Sequence, residues 1–235
     1  MDESKLIFVT GAPGSKWSAV SWLLSESPLL NVDTTDRTPE RLMVHTDAYN
    51  GVRHLGAYFG PGMDVGPEFH NITKFTKHEI CDQIKMAWPK WDDTKHHIVR
   101  CHQFINNFDF LVDTFPDAKF VVVTRRPDQC VAGWLSVGGV DIAYPHYAEY
   151  YVNNDVAPDI IRAEAKLALD VMWDHQMDTY VASSGHFKRK WGLEITDEGS
   201  TLAKYIRSLE GYIYKSADPK AKLKFDVTIG YLGFE

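Results

Sequence analysis

Three short segments carry residue types that grip phosphate or move protons. The first is Gly11-Ala12-Pro13-Gly14-Ser15-Lys16-Trp17-Ser18. It follows an apolar run, Leu6 to Thr10, and leads into helical spacing from Trp17 to Ser25. A glycine-containing loop entering a helix presents free backbone N–H groups and the positive end of the helix dipole to an anion. Lys16 adds a point charge, and Ser15 and Ser18 add hydroxyl donors. The candidate phosphate contacts are Gly11, Pro13, Gly14, Ser15, Lys16, Trp17 and Ser18. A magnesium-binding Walker A loop needs Gly-Lys followed at once by Ser or Thr. Here the second glycine comes too early and Trp17 follows the lysine.

The second segment is Arg100-Cys101-His102-Gln103, at the end of the apolar run His97 to Cys101. An imidazole there accepts a proton near neutral pH if it faces the ligand crevice. The third is Thr124-Arg125-Arg126-Pro127-Asp128, after the strand-like Lys119 to Thr124. Arginine at a strand end suits a bidentate grip on phosphate. Each segment also has a plain structural reading: a strand-to-helix turn, a hydrogen-bonded histidine among ten in the chain, a solvated charge pair with Asp128.

The elements that must position these groups alternate strand and helix. Helical patterns are expected at Trp17–Ser25, Phe75–Trp88, Asn107–Thr114, after Pro127, over one long stretch Pro158–Ala182, and near Leu202–Leu209. A weak strand is expected at Leu223–Ile229, and long loops over Thr34–Gly66, with a brief apolar stretch at Leu42–Val44. Such alternation implies an α/β chain, a parallel sheet flanked by helices. Ligands bind such sheets at the carboxyl ends of the strands, where the three segments fall. The chain reads as one domain over 1–235.

Composition narrows the function classes. Hydrophobic residues are 44% and charged residues 24%, which excludes a disordered chain. The net charge of −7 argues against polymeric nucleic acid as a partner. Three widely spaced cysteines give neither a disulfide framework nor a zinc pair, and no metal-ligand spacing is evident. The N-terminal apolar run is too short for a signal peptide or a membrane span, so a cytoplasmic protein without membrane contact is expected.

Taken together, the three segments resemble the PAPS-dependent sulfotransferases, which use 3′-phosphoadenosine 5′-phosphosulfate as donor. Arg100-Cys101-His102 is similar to the family's basic-Thr-His segment, and Val122 to Pro127 to the strand leading into Arg-Asn-Pro. His102 and Arg125 stand 23 positions apart, close to the family's spacing. The resemblance covers Leu6–Ser27 and Ile98–Leu135. It implies a three-layer, P-loop nucleotide-kinase-like sulfotransferase fold. It also implies His102 as general base, Lys16 as stabiliser of the leaving phosphate, and Arg125 as holder of the 3′-phosphate. The product nucleotide would be 3′,5′-adenosine bisphosphate, with no metal required.

The chain departs from the family pattern at three places. Gly14 stands where a basic residue follows proline, with the lysine two places later at Lys16. Gly133 stands where the family has a serine, and Ser136, about one turn on, is the candidate substitute. The late Arg-Lys-Gly loop has only an echo in Lys188-Arg189-Lys190-Trp191-Gly192. The expected acceptor is a small molecule or glycan, for which Tyr49, His54, Tyr58 and Phe59 beside the Gly60-Pro61-Gly62 bend are candidate contacts, with ordinary loop packing the alternative reading of each ring. Two other classes stay open: a P-loop phosphotransferase, and a non-catalytic nucleotide-binding protein that keeps the fold.

Overall fold

A computed structural model of the chain describes residues 1–41, 54–142, 144–210 and 227–234. The first strand, β1 (Leu6–Thr10), is buried along its whole length, as its unbroken apolar sequence requires. Its side chains alternate between two apolar clusters, Ile7 and Val9 in one, Leu6 and Phe8 in the other. Helix α1 (Trp17–Ser25) follows and buries Val20, Leu23 and Leu24 in the first cluster.

Next come β2 (Ala57–Tyr58), α2 (Lys77–Met86), β3 (His97–Arg100), α3 (Phe108–Thr114) and β4 (Lys119–Arg125). Thr76 and Glu79 close a reciprocal capping box at the start of α2, satisfying two backbone donors there. Beyond β4 lie α4 (Pro127–Leu135), α5 (Ala148–Tyr151), α6 (Ala157–Asp174), β5 (Asp178–Val181), α7 (Ser184–Trp191), α8 (Thr201–Leu209) and β6 (Val227–Leu232).

Among the described residues six strands form one sheet in the order β2-β3-β1-β4-β6-β5, flanked by helices. β2, β3, β1 and β4 are parallel, with Val9 beside Arg100 and Thr10 beside Val122. This register leaves the last three residues of β4 projecting past the end of β1. The expected α/β architecture is thus present, but the sheet is not wholly parallel, because β6 runs antiparallel to both β4 and β5.

The long helix expected from Pro158 to Ala182 is corrected as well. α6 ends at Asp174, Gln176 takes a positive φ of 49°, and Asp178–Val181 becomes a strand. Met177 and Tyr180 continued the helical spacing by coincidence. A cross-strand ladder with β6 decides the conformation there, and spacing along the chain carries no sign of that partner. The expected strand at the C-terminal end begins at Val227, while 223–226, like Leu42–Val44 and Tyr49, lie outside the described residues. Among the described residues, no helix is long and apolar enough to cross a membrane.

Phe8 is the pivot of the second cluster. Its ring centroid lies 5.5 Å from Phe104, 5.2 Å from Phe115 and 5.4 Å from Phe120, and only 2% of the residue is exposed. Phe104 belongs to the 3₁₀ turn His102–Asn107, so this packing also seats the candidate base. Phe8→Ala is expected to cost about 3–5 kcal/mol, measured by urea denaturation; a loss under roughly 1 kcal/mol would refute that central role.

Candidate functional site

The site forms where β1, β3 and β4 end side by side. The loop from Gly11 to Lys16 leaves β1 between its two parallel neighbours and turns into α1. Ser15 N–H closes the turn on the Ala12 carbonyl at 3.0 Å. Lys16 is the N-cap of α1 in a left-handed conformation, φ 71°, and its side chain makes no cap. The start of α1 is therefore not closed by its own N-cap side chain. The Ser15 hydroxyl is fully buried within the loop and has no hydrogen-bond partner among the described residues. A ligand oxygen would satisfy it.

Gly14 explains the loop's shape. Its φ is +76°, and a Cβ there would lie 2.0 Å from the Cys130 carbonyl oxygen of α4. Gly133 meets the loop from the other side: a Cβ on it would lie 3.3 Å from the Gly14 oxygen and 3.2 Å from Arg125 Nη1. Arg125 spans the gap, with Nη1 donating to the Gly14 carbonyl at 3.2 Å and to the Gln129 carbonyl at 3.4 Å. Arg126 is exposed and caps α4. Of the two arginines, only Arg125 turns toward the loop.

His102 joins the loop from the β3 side. It opens a 3₁₀ turn just past β3, and its carbonyl accepts from the Thr10 hydroxyl at 2.9 Å. Its Nδ1 lies 2.6 Å from the Gly11 carbonyl oxygen. A carbonyl only accepts, so Nδ1 carries the proton and Nε2 is the basic nitrogen of the neutral ring. The ring is 2% exposed and packs against Trp17, Tyr58 and Tyr147 at centroid distances of 4.0, 6.0 and 6.4 Å. Burial pushes the Tyr58 and Tyr147 hydroxyls well above the usual tyrosine range, which keeps both neutral.

Arg100, fully buried, donates to Ser18 Oγ at 3.4 Å and lies 3.3 Å from His54 Nδ1, with its guanidinium 5.1 Å from the centre of the Trp17 ring. Burial, and then the nearby Arg37 charge, push its pKa down to about 9. Ser18 Oγ also lies 2.8 Å from His54 Nδ1, which ties the start of α1 to the expected acceptor side.

Compared with protein-family models, curated proteins and solved structures, the chain matches none. The site therefore rests on its own geometry.

That geometry brings together Gly11, Pro13, Gly14, Ser15, Trp17, Ser18, His102 and Arg125. Lys16 is turned differently: its ammonium donates to the Ser208 carbonyl of α8. Ser136 is exposed at the C-cap of α4, its hydroxyl donating to the Gly133 carbonyl at 2.8 Å. The run Lys188–Lys190 is not a loop but the last turn of α7. Trp191, next to it, accepts from the Ser27 hydroxyl beyond the far end of α1. A nine-residue helix is about 13 Å long, so this basic turn sits away from the phosphate loop. Among the described residues no cluster of His, Cys, Asp and Glu fits a metal ion.

Sequence reasoning missed a buried polar group behind His102. Gln103 Nε2 lies 2.8 Å from the Tyr151 hydroxyl and 3.1 Å from Glu164 Oε1, and Tyr151 donates to Glu164 Oε2 at 3.0 Å. One signal was readable: Glu164 falls on the stripe Ile161, Ala165, Ala168, Met172 that α6 buries. The tyrosines crowded in Tyr144-Pro145-His146-Tyr147-Ala148-Glu149-Tyr150-Tyr151 were another.

Gly14→Ala meets both the positive φ and the Cys130 carbonyl. It is expected to destabilise the protein by more than 2 kcal/mol, roughly twice the usual cost of a point mutation, and to abolish anion-dependent stabilisation. Calorimetric melting of both proteins with and without inorganic phosphate checks this; an unchanged melting temperature would show the loop free of α4.

Proposed function

We propose that the chain is a sulfotransferase that moves a sulfuryl group from PAPS to a hydroxyl or amine acceptor, on a P-loop-like sulfotransferase fold. The observation that carries the reading is the convergence of three motifs on one loop. Arg125 donates to Gly14 and His102 Nδ1 to Gly11, although these residues come from three separate stretches of the chain. Support also comes from the open start of α1 and the orphan Ser15 hydroxyl, which suit a phosphate oxygen.

In this reading Gly11–Ser18 wraps the 5′-phosphosulfate, Pro13 and Trp17 shaping the loop and Ser15 and Ser18 donating. Arg125 reaches the 3′-phosphate of the nucleotide. His102 Nε2 accepts the acceptor's proton as the new bond to sulfur forms and the bond from sulfur to the phosphate oxygen breaks. Lys16 leaves Ser208 and meets the charge growing on that oxygen, a kind of contribution typically worth about 3–4 kcal/mol of barrier. The scheme uses no metal. The acceptor is a small molecule or glycan, reaching His102 on the side of His54 and Tyr58; Phe59, expected beside them, is instead fully buried against Phe69 in the second cluster.

One observation favours a second reading, a nucleotide-binding protein without catalysis: the Lys16 ammonium rests on α8. A phosphotransferase has less support, since Trp17 holds the place of the magnesium-binding hydroxyl.

Ligand preference tests the nucleotide. At about 100 times its dissociation constant, 3′,5′-adenosine bisphosphate should add ~2.7 kcal/mol of stability, and more than AMP does. Arg125→Ala should erase the difference between the two nucleotides and Arg126→Ala should keep it. Equal thermal shifts in the parent protein would overturn the 3′-phosphate assignment.

Turnover tests the chemistry. His102→Ala should lower sulfuryl transfer by ~10²–10⁴ while bisphosphate binding persists. Undiminished turnover in that variant would refute the base, and no turnover in the parent across phenol and sugar acceptors would favour the binding protein.

A further inference from the structure

Among the described residues, Glu164 is the one buried carboxylate next to the site, and the proposed chemistry does not use it. It is 3% exposed at the middle of α6. One side chain on each of two separate segments converges on it. Gln103, the neighbour of His102, is fully buried and spends its amide donors on Glu164 and the Tyr151 hydroxyl. Tyr151 donates back to the carboxylate. Its ring lies 6.1 Å from Tyr147 and 5.1 Å from Trp134, and Tyr147 in turn faces His102. The next residue of α6 is tied to β4, the Ala165 carbonyl accepting from the Thr124 hydroxyl at 3.0 Å. Glu164 therefore links the turn that carries His102 to the tyrosines that wall its ring.

We propose that Glu164 is a positioning residue that sets the placement of His102, acting through Gln103 on one side and through Tyr151 and Tyr147 on the other, and that its protonation changes that placement. This extends the reading of His102 as base, but the coupling itself involves only groups of this chain.

Hydrogen-bond bookkeeping gives the reason. An ionised carboxylate only accepts, so it draws the Gln103 amide and the Tyr151 hydroxyl onto itself. A protonated one brings its own donor and needs an acceptor, either the Tyr151 oxygen or a turned Gln103 amide. Gln103 Oε1 already accepts from the Cys101 thiol at 3.5 Å, so turning that amide disturbs the segment Cys101–Gln103. The switch lies in the working range: burial raises the Glu164 pKa from 4.5 to about 7, against the lowering effect of the Tyr151 and Gln103 bonds. The ionisable groups that sense its charge are Tyr150 and Tyr151 of α5 and Cys101 after β3. Burial pushes all three up, Tyr150 to about 12, so they stay neutral while Glu164 titrates.

The sign for stability follows. The folded chain holds this proton to about pH 7, whereas an unfolded one releases it near 4.5. The contribution is complete below 4.5 and is lost as pH rises through 7.

The test is nuclear magnetic resonance of the full-length protein, following the His102 ring Hε1 from pH 5 to 9, with His102→Ala to assign the signal. The parent should show an inflection near pH 7 that depends on Glu164. Glu164→Gln, which mimics the protonated acid, should lose it and hold the acid-side shift throughout. Its stability should also no longer fall between pH 4.5 and 7. Should Glu164→Gln fail to fold, Tyr151→Phe keeps the ring and removes one donor to the carboxylate, so the inflection should move to higher pH. An inflection unchanged in Glu164→Gln, or unmoved in Tyr151→Phe, would make Glu164 merely structural. Bisphosphate calorimetry on the same samples separates the two readings. A lost inflection without nucleotide binding keeps the positioning role and sinks the nucleotide assignment. Binding with an unchanged inflection does the reverse.

Discussion

The contact between Gly14 and α4 governs the site. The loop passes α4 this closely because Gly14 carries no side chain where its backbone meets that of Cys130; at Gly133 the fit is tight but less strict. That approach puts the Gly14 carbonyl within reach of Arg125, and the three residues by which β4 outruns β1 put Arg125 at the right height. Moving the loop away from α4 would break the bond from Arg125 and shift the start of α1 together. At Gly14 the contact leaves little room for adjustment, because a Cβ there would lie 2.0 Å from the Cys130 carbonyl oxygen and packed backbone atoms yield by only a few tenths of an ångström.

The same contact gives a physical account of two departures from the sulfotransferase pattern. One is Gly14, where a basic residue is expected, and the other is Gly133, where a serine is expected. A Cβ on Gly133 would lie 3.3 Å from the Gly14 oxygen, so the two departures are neighbours in space. Lys16, whose left-handed backbone starts α1, carries its ammonium to the Ser208 carbonyl of α8. Ser136 lies one turn too far along α4 to stand where the serine would. In place of a hydroxyl from α4, Arg125 holds the loop carbonyl itself.

Behind the loop, charge and polarity are buried in an ordered way. His102 is fixed by a backbone carbonyl at Nδ1 and by rings on its faces, so its orientation does not depend on solvent. Gln103, Tyr151 and Glu164 form a connected group in which the described polar atoms find partners, and buried polar groups are tolerated when they are so connected. Exposed ion pairs such as Arg162 with Asp128 and Asp159 sit outside this arrangement and contribute little by comparison.

Much of this was legible in the chain itself. Apolar runs gave β1 and β4, the pair Ile98-Val99 gave β3, helical spacing gave α1, α2, α3 and α8, and Pro127 marked the start of α4, because these signals are local: consecutive apolar residues mark a strand covered on both faces, and apolar residues every three to four positions mark a helix. The candidate loop, His102 and Arg125 were found because they stand directly at the ends of those runs. What the tertiary structure alone decided depends on partners far along the chain. The direction of β6 and the strand character of Asp178–Val181 come from ladders between distant segments. The turn of Lys16 toward Ser208 spans 192 positions, and the bond from Gln103 to Glu164 spans 61. Spacing within one segment cannot encode which distant backbone or side chain will close on it, so the loop was readable and its supports were not.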